Sequence, residues 1–397
     1  MLRRRELLQR GLFLGLGLGL GSPLFQACGD PSPEPIKVNF SGKVLIVGAG
    51  ASGLMAAYTL QKYNIDYQVI EAHSMFGGRL KKASDFGDVP IDLGAEWLHD
   101  EPRTLSNLIN DPANKNAVQL IPYNPDQIYT WDGENLHNHN WANSFYAEYK
   151  FKQSWYDFFA DNIVAPLKTP IVYNSPVTEI DYSSSKVRVK TVKGDVYEGD
   201  KVLVTVSLAI LQSKAISFSP ALPNDAITAI DRTEMPGGLK VFIEFSEQFY
   251  PDIVLNGSLL GDNSQEKIYY NAVFKKDSKK HILGLFTVGE PAEQFLKLPN
   301  NEAIYKAVMQ ELDQMFNNRA SQTYVKHVIQ NWSAEPYIKG SYSYHDDTSE
   351  EALKAALLKP HNNRLFFAGE ALAPSATSTV HGAGFSGVAA CRTILAG

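Results

Sequence analysis

Three glycines and a carboxylate carry the first chemical signal in this chain. Gly48, Gly50 and Gly53 stand at G-x-G-x-x-G spacing in "VGAGASG", and Glu71 follows 18 residues after the third glycine. The first glycine permits a tight turn, the second lets a pyrophosphate approach the backbone, and the third allows a helix to pack closely on a strand. Free N–H groups and the dipole at the start of that helix favour anionic phosphate. A carboxylate at the position of Glu71 suits ribose hydroxyls. The stretch that carries these residues, "KVLIVGAGASGLMAAYTLQKYNIDYQVIEA", reads as an apolar strand, a glycine turn, an amphipathic helix and a second strand. Ala57, one turn beyond Gly53, keeps the packing close. Just downstream, Gly77-Gly78-Arg79 brings an arginine whose planar fork matches a pyrophosphate.

A second signal is a lysine in a strand. In "GGLKVFIEFSEQFY" (Gly237 to Tyr250), Leu239, Val241, Ile243 and Phe245 share one face. Lys240, Phe242, Glu244 and Ser246 share the other. Taken locally, this period of two predicts a half-buried strand whose charged side meets water.

These residues sit in a chain long enough, at 397 residues, for more than one domain. With 44% apolar and 20% charged residues, the composition is that of a globular protein. A net charge of −6 with few basic clusters argues against nucleic acid as a partner. The two cysteines, Cys28 and Cys391, support neither a disulfide framework nor a metal site. Residues 1–28 have the layout of an export signal: a basic start, then an apolar glycine-rich run ending at Cys28. Arg4-Arg5-Glu6-Leu7-Leu8 resembles a twin-arginine signal, which exports folded proteins. "LFQAC" resembles a lipobox, so a lipidated Cys28 would attach the protein to a membrane. The expectation is a bacterial periplasmic or cell-envelope protein, with residues 29–42 as a Pro-rich tether.

Further motifs extend the pattern along the chain. "IDLGAEWLH" follows the arginine turn, and "SPVTEIDY" precedes "KVLVTVSLAILQSKAISFSPALP". "NWSAEPYIKGSYSY" and "RLFFAGEALAPSATSTVHGAGFSGVAACRTIL" complete it. Together these motifs resemble the flavin amine oxidases (monoamine oxidases, polyamine oxidases and lysine-specific histone demethylases), and among them the polyamine oxidases most. Ser207 and Ala209 depart from the usual middle motif. The resemblance implies an α/β protein: a Rossmann-like FAD-binding domain of the glutathione-reductase type, interleaved with a substrate domain built on a mixed sheet plus helices. FAD-binding parts would be residues 43–100, 171–230 and 331–397. Substrate-domain parts would be 101–170, expected to be helical, and 231–330.

The resemblance also implies roles. Gly48, Gly50, Ser52, Gly53, Glu71 and Ala72 would hold FAD on the first βαβ unit. Gly78, Arg79, Gly94, Ala95, Glu96 and Trp97 would follow on the next turn and strand. Val177, Trp332, Gly369, Glu370, Thr379 and Val380 would close the site, with Glu370 accepting from the ribitol. Lys240 would reach flavin N5 through a water, its outward-looking pattern being that of a residue lining a cavity. Tyr342 would form one wall of a slot over the flavin. Thr379 stands where monoamine oxidases place the second wall, and so opens the slot. Ser341 replaces the cysteine that bonds FAD in monoamine oxidases, which implies non-covalent FAD. His99 would line the substrate channel, with Glu96, Asp100 and Glu101 drawing in a cationic amine.

The implied reaction is hydride transfer from the carbon beside an amine nitrogen to flavin N5. The imine would hydrolyse to a carbonyl compound and a smaller amine, and electrons would pass to O2, giving H2O2, or to another acceptor. Two other readings stay open. An L-amino-acid oxidase would need an arginine for the substrate carboxylate, and Arg103 is the candidate. A flavin-binding protein without turnover would serve as a sensor or partner-binding module.

Overall fold

Lys43–Val47 is the strand on which the cofactor half is assembled. In the computed structural model, which describes residues 36–111, 114, 118–140, 148–257, 266–344 and 347–397, it pairs in parallel on both sides. Asp66–Ile70 lies on one flank and Lys201–Val204 on the other, and Leu365–Phe367 extends the sheet beyond Lys201–Val204. Val44, Leu45, Ile46, Val202 and Leu203 are fully buried, as strands covered on both faces must be. Because the first strand in sequence is central, the chain leaves it in opposite directions. That opens a crevice at its carboxyl end, where such sheets bind their ligands.

Two helices cover one side of this sheet at close range. Ala51–Lys62 follows the glycine turn, and Val380–Ala396 packs across it. A Cβ on Gly387 would lie 2.2 Å from the Ser52 carbonyl oxygen, so the two backbones are nearly in contact. A second four-stranded sheet contains Val177–Asp181, Val187–Thr191, Val196–Gly199 and Ser217–Ser219. Ser207, one of the departures from the family motif, caps the helix Leu208–Gln212 and donates to the Ile338 carbonyl at 2.7 Å.

The substrate half is a seven-stranded sheet whose longest members surround the lysine strand. Gly238–Phe245 pairs antiparallel with His281–Val288 on one side and Tyr324–Asn331 on the other. Its alternation is as read from the sequence: Leu239, Val241, Ile243 and Phe245 enter one core, and Phe242 enters another. The second face does not meet water. All eight residues of the strand are buried, with Lys240 and Glu244 each only 3% exposed.

Segment 101–170, expected to be helical, is mixed. Alongside the helices Arg103–Ile109 and Trp155–Phe159 and the π-helical turn Ala160–Val164, it holds the strands Leu120–Tyr123, Ile128–Trp131, Leu136–Asn138 and Glu148–Phe151. Two of these extend the seven-stranded sheet. The other two form a three-stranded sheet with Trp97–Leu98, in the order Trp97–Leu98, Glu148–Phe151, Leu120–Tyr123. Such strands of three or four residues leave little periodicity to read. The export signal, Cys28 and the first part of the tether lie outside the described residues.

Candidate active site

The glycine turn forms a cradle with space in it. Gly48 adopts φ +108°, and a Cβ on Gly53 would lie 2.0 Å from the Gly48 carbonyl, so the helix must start hard against the turn. A Cβ on Gly50, by contrast, would meet nothing closer than the Gly77 carbonyl at 3.9 Å. Gly77 N–H donates to the Ala49 carbonyl at 2.8 Å, which brings the arginine turn against the cradle. Ser52, in the first turn of the helix, is 4% exposed, and its hydroxyl has no hydrogen-bond partner. A buried, unsatisfied hydroxyl at a helix N-terminus beside open backbone fits a phosphate oxygen.

Two acids brace this cradle. Glu71 is buried and accepts from Ala49 N–H at 2.6 Å and His73 N–H at 2.8 Å. Burial pushes its carboxyl upward, partly countered by these amides. The remaining lone pairs are those left for a ribose. Glu370 is more heavily engaged. One oxygen accepts from Arg79 Nη1 at 3.1 Å and Ser343 N–H at 3.2 Å. The other accepts from Ser343 Oγ at 2.6 Å and Ser378 N–H at 3.2 Å. Glu370 thereby ties three chain segments together. Arg79 Nη1 also donates to the Ser341 carbonyl at 2.9 Å.

From this brace the segment Asp92–Trp97 leads to Lys240. Gly94 packs so closely that a Cβ would lie 1.9 Å from the Arg79 carbonyl. Trp332, 6% exposed, anchors the segment by donating from Nε1 to the Leu93 carbonyl at 3.0 Å. Lys240 Nζ meets the segment twice, at 3.2 Å from the Asp92 carbonyl and 2.8 Å from Glu96 Oε2.

Glu96 is the hub of a buried cluster. Lys150 Nζ lies 2.8 Å from its Oε1, and Tyr270 donates its hydroxyl to Oε2 at 2.5 Å. The Lys150 side chain is 0% exposed and sits 4.6 to 4.9 Å from the ring centroids of Tyr270, Tyr123 and Trp97. Such faces attract an ammonium. Burial alone would raise the Glu96 carboxyl, but Lys150, Lys240 and Lys276 outweigh it and hold Glu96 at about 2. Burial lowers Lys150 to about 8 against the pull of Glu96. Asp92, 2% exposed, has two carboxylate oxygens without hydrogen-bond partners, and burial lifts it to about 7 despite Lys276. Two nearby carboxyls are thus driven apart, one held ionised and one poised to gain a proton.

The cluster revises the reading of several residues. Glu96 is enclosed in ion pairs and cannot attract solvent-borne cations. Trp97 has its ring 5.2 Å from Lys240 Nζ, so it walls the cluster. Asp100 is exposed and accepts from Thr104 Oγ1 at 2.8 Å and Glu101 N–H at 2.8 Å, a role in starting the helix Arg103–Ile109. His99 Nδ1 lies 3.0 Å from Glu148 Oε1 at the surface. Arg103, the candidate carboxylate clamp, is exposed.

At the opposite wall, Tyr342 is half-buried between the buried Ser341 and Ser343. Thr379 caps the last helix, accepting from Gly382 N–H at 3.0 Å. Ala72, Ala95 and Val380 are half-buried, and Val177 is buried in the hydrophobic cluster that also holds Ile70 and Val204. Gly369 N–H donates to Ser386 Oγ at 3.1 Å, behind Glu370. Lys150, Tyr270, Asp92 and Lys276 were not singled out from sequence. The one available signal was a lysine flanked by aromatics in "EYKF".

Similarity to known proteins agrees with this geometry. A family model described as flavin containing amine oxidoreductase matches residues 141–395, and one described as an NAD(P)-binding Rossmann-like domain matches residues 46–111. Human lysine-specific histone demethylase 2 is 24% identical over 441 aligned positions, covering 89% of this chain and 53% of that protein. The chain therefore spans about half the length of the demethylases it matches over most of its residues. Polyamine oxidase 4 of Oryza sativa subsp. japonica is 25% identical, covering 88% of each chain. A structure of wild-type putrescine oxidase bound to putrescine superposes with a TM-score of 0.73 at 15% identity, over 90% of this chain and all of that one. That likeness establishes the fold.

Proposed function

Because the chain belongs to the flavin containing amine oxidoreductase family, we propose that it oxidises the C–N bond of an extended amine, a polyamine or another secondary amine, with non-covalently held FAD. The observation that carries this reading is the buried Lys240 amine, fixed to the same Asp92–Trp97 segment that packs on the cradle arginine. When bound, the flavin would supply a two-electron acceptor for the C–H bond beside the amine nitrogen. The glycine turn, the Ser52 hydroxyl, Glu71 and the Arg79–Glu370 brace would hold it. Lys240 would hold a water or a proton at its Nζ, and the aromatic walls would exclude bulk solvent and keep the amine oriented. The substrate must reach this site with its nitrogen neutral. Water then converts the imine to a carbonyl compound and a smaller amine, and O2 or another acceptor removes the electrons.

An extended amine is favoured because Thr379, not an aromatic ring, stands beside the slot. The relatives named polyamine oxidases and the putrescine-bound neighbour point the same way. The purified protein should show a flavin spectrum that polyamines bleach under anaerobic conditions. Bleaching by amino acids instead would transfer the assignment to an L-amino-acid oxidase. Failure of both would leave a flavin-binding protein without turnover.

We also propose export in the folded state through Arg4-Arg5, with a lipid on Cys28. An Arg4→Lys/Arg5→Lys precursor should accumulate in the cytoplasm, and normal export of it would point to unfolded secretion.

A further inference from the structure

Glu96 serves two cations at once. Its Oε1 is 2.8 Å from Lys150 and its Oε2 2.8 Å from Lys240, so two buried ammonium groups divide one carboxylate. In a poorly polarisable interior they repel each other, and any tightening of one pair loosens the other. The rings of Trp97, Tyr123 and Tyr270 enclose the Lys150 side chain, which is 0% exposed, so its charge acts on the cluster with little screening by water.

We propose that Lys150 is a positioning residue for Lys240: through Glu96, its charge sets how firmly the Lys240 amine is held. This rests on the reading that Lys240 serves the flavin. The groups facing the pair come from several elements. Asp92 and Glu96 lie on the segment below Lys240, Tyr270 on the strand Glu266–Asn271 two places along the sheet, Lys276 on the turn beyond it, and Tyr123 beside Lys150. Around Lys240 the remaining neighbours are the rings of Trp97, Phe242 and Phe286.

Burial brings Lys150 to about 8, whereas Glu96 at about 2 stays ionised throughout the working range. While Lys150 keeps its proton, the carboxylate is divided and Lys240 is held loosely. Once Lys150 loses it, the whole charge of Glu96 bears on Lys240, and the amine is drawn away from other work. Flavin reduction should therefore slow as pH rises through the Lys150 titration. Lys150→Met should run at the slow alkaline rate across that window, with any limb due to the substrate amine unchanged.

A second readout needs no substrate. In FAD-loaded protein labelled with 13C at lysine Cε, one NMR resonance should titrate near pH 8 and vanish in Lys150→Met. In Lys240→Met, which removes a competing cation, that titration should move up by about one pH unit. Tyr270→Phe, which leaves more of the Glu96 charge on its cations, should move it the same way. Glu96→Gln should move it down by about one unit. Should Glu96→Gln fail to fold, the other two variants still test the direction. Movement in the wrong direction, no movement, or a wild-type pH profile in Lys150→Met would overturn the proposal. Because the titration uses no amine, it stands or falls apart from the substrate assignment.

Discussion

Lys240→Met separates a chemical role from a structural one, and the cluster geometry sets the size of each effect. The substitution removes a 2.8 Å ion pair and a 3.2 Å hydrogen bond. Breaking a buried pair usually costs about 3–5 kcal/mol because the abandoned charge stays buried without compensation. Glu96 is not abandoned here: it keeps Lys150 at 2.8 Å and the Tyr270 hydroxyl at 2.5 Å. Methionine also retains most of the apolar stem between the surrounding rings. The loss should therefore fall to about 1–2 kcal/mol, the range for a single buried hydrogen bond with its partner otherwise satisfied. In a chain of this length that lowers Tm by only a few degrees. Flavin reduction, reoxidation or both should slow by about 10²-fold, the scale of a general-base or water-positioning contribution. Anaerobic stopped-flow mixing with amine, then with oxygen, resolves the two half-reactions, and calorimetry gives the stability. Wild-type rates in both halves would refute the chemical role. A loss of about 4 kcal/mol or more, the cost of an uncompensated buried charge, would mark Lys240 as structural.

Other variants probe the remaining parts of the site. Glu370→Ala removes the acceptor of four hydrogen bonds from three segments, so it should lose about 3–5 kcal/mol and purify largely without FAD; full FAD occupancy would count against it. Asp92→Asn replaces a carboxyl that burial raises to about 7, well above its unfolded value. Such a group costs stability progressively as pH rises between about 4 and 7. The variant should accordingly unfold later than wild type above pH 7 and lose that advantage towards pH 4, and paired thermal melts would detect the opposite trend. Ser341 offers no thiol to FAD, so acid precipitation should release all the yellow colour into the supernatant, whereas flavin on the pellet would establish a covalent link.

The cradle was legible because its chemistry is local. Gly48, Gly53 and Glu71 act within one βαβ unit, and their spacing is the geometry itself. Lys240 was legible only through resemblance, since alternation predicts a charged face but not what covers it. The cluster under Lys240 was invisible for the same reason. Lys150 belongs to a four-residue strand, and Glu96, Tyr270 and Tyr123 reach it from segments far away in sequence. No window of the chain contains that enclosure. The strands of 101–170 escape a periodicity reading because each has only three or four residues, and pairing with distant partners is what stabilises them.

The near-contact of Gly387 with the Ser52 carbonyl also fixes a sequence of events in time. The cradle helix begins at Ala51, yet the surface that backs it is residues 380–396, and the fourth strand of its sheet is Leu365–Phe367. At ribosomal speeds of about 5–20 residues per second, roughly a quarter of a minute to a minute separates synthesis of these parts. During that interval the nascent glycine turn has neither its backing helix nor a complete sheet, and such long-range pairings form late. FAD can therefore select the finished chain but cannot template its early folding. Nascent chains stalled before residue 365 should not retain the cofactor, while those extended past residue 396 and clear of the exit tunnel should.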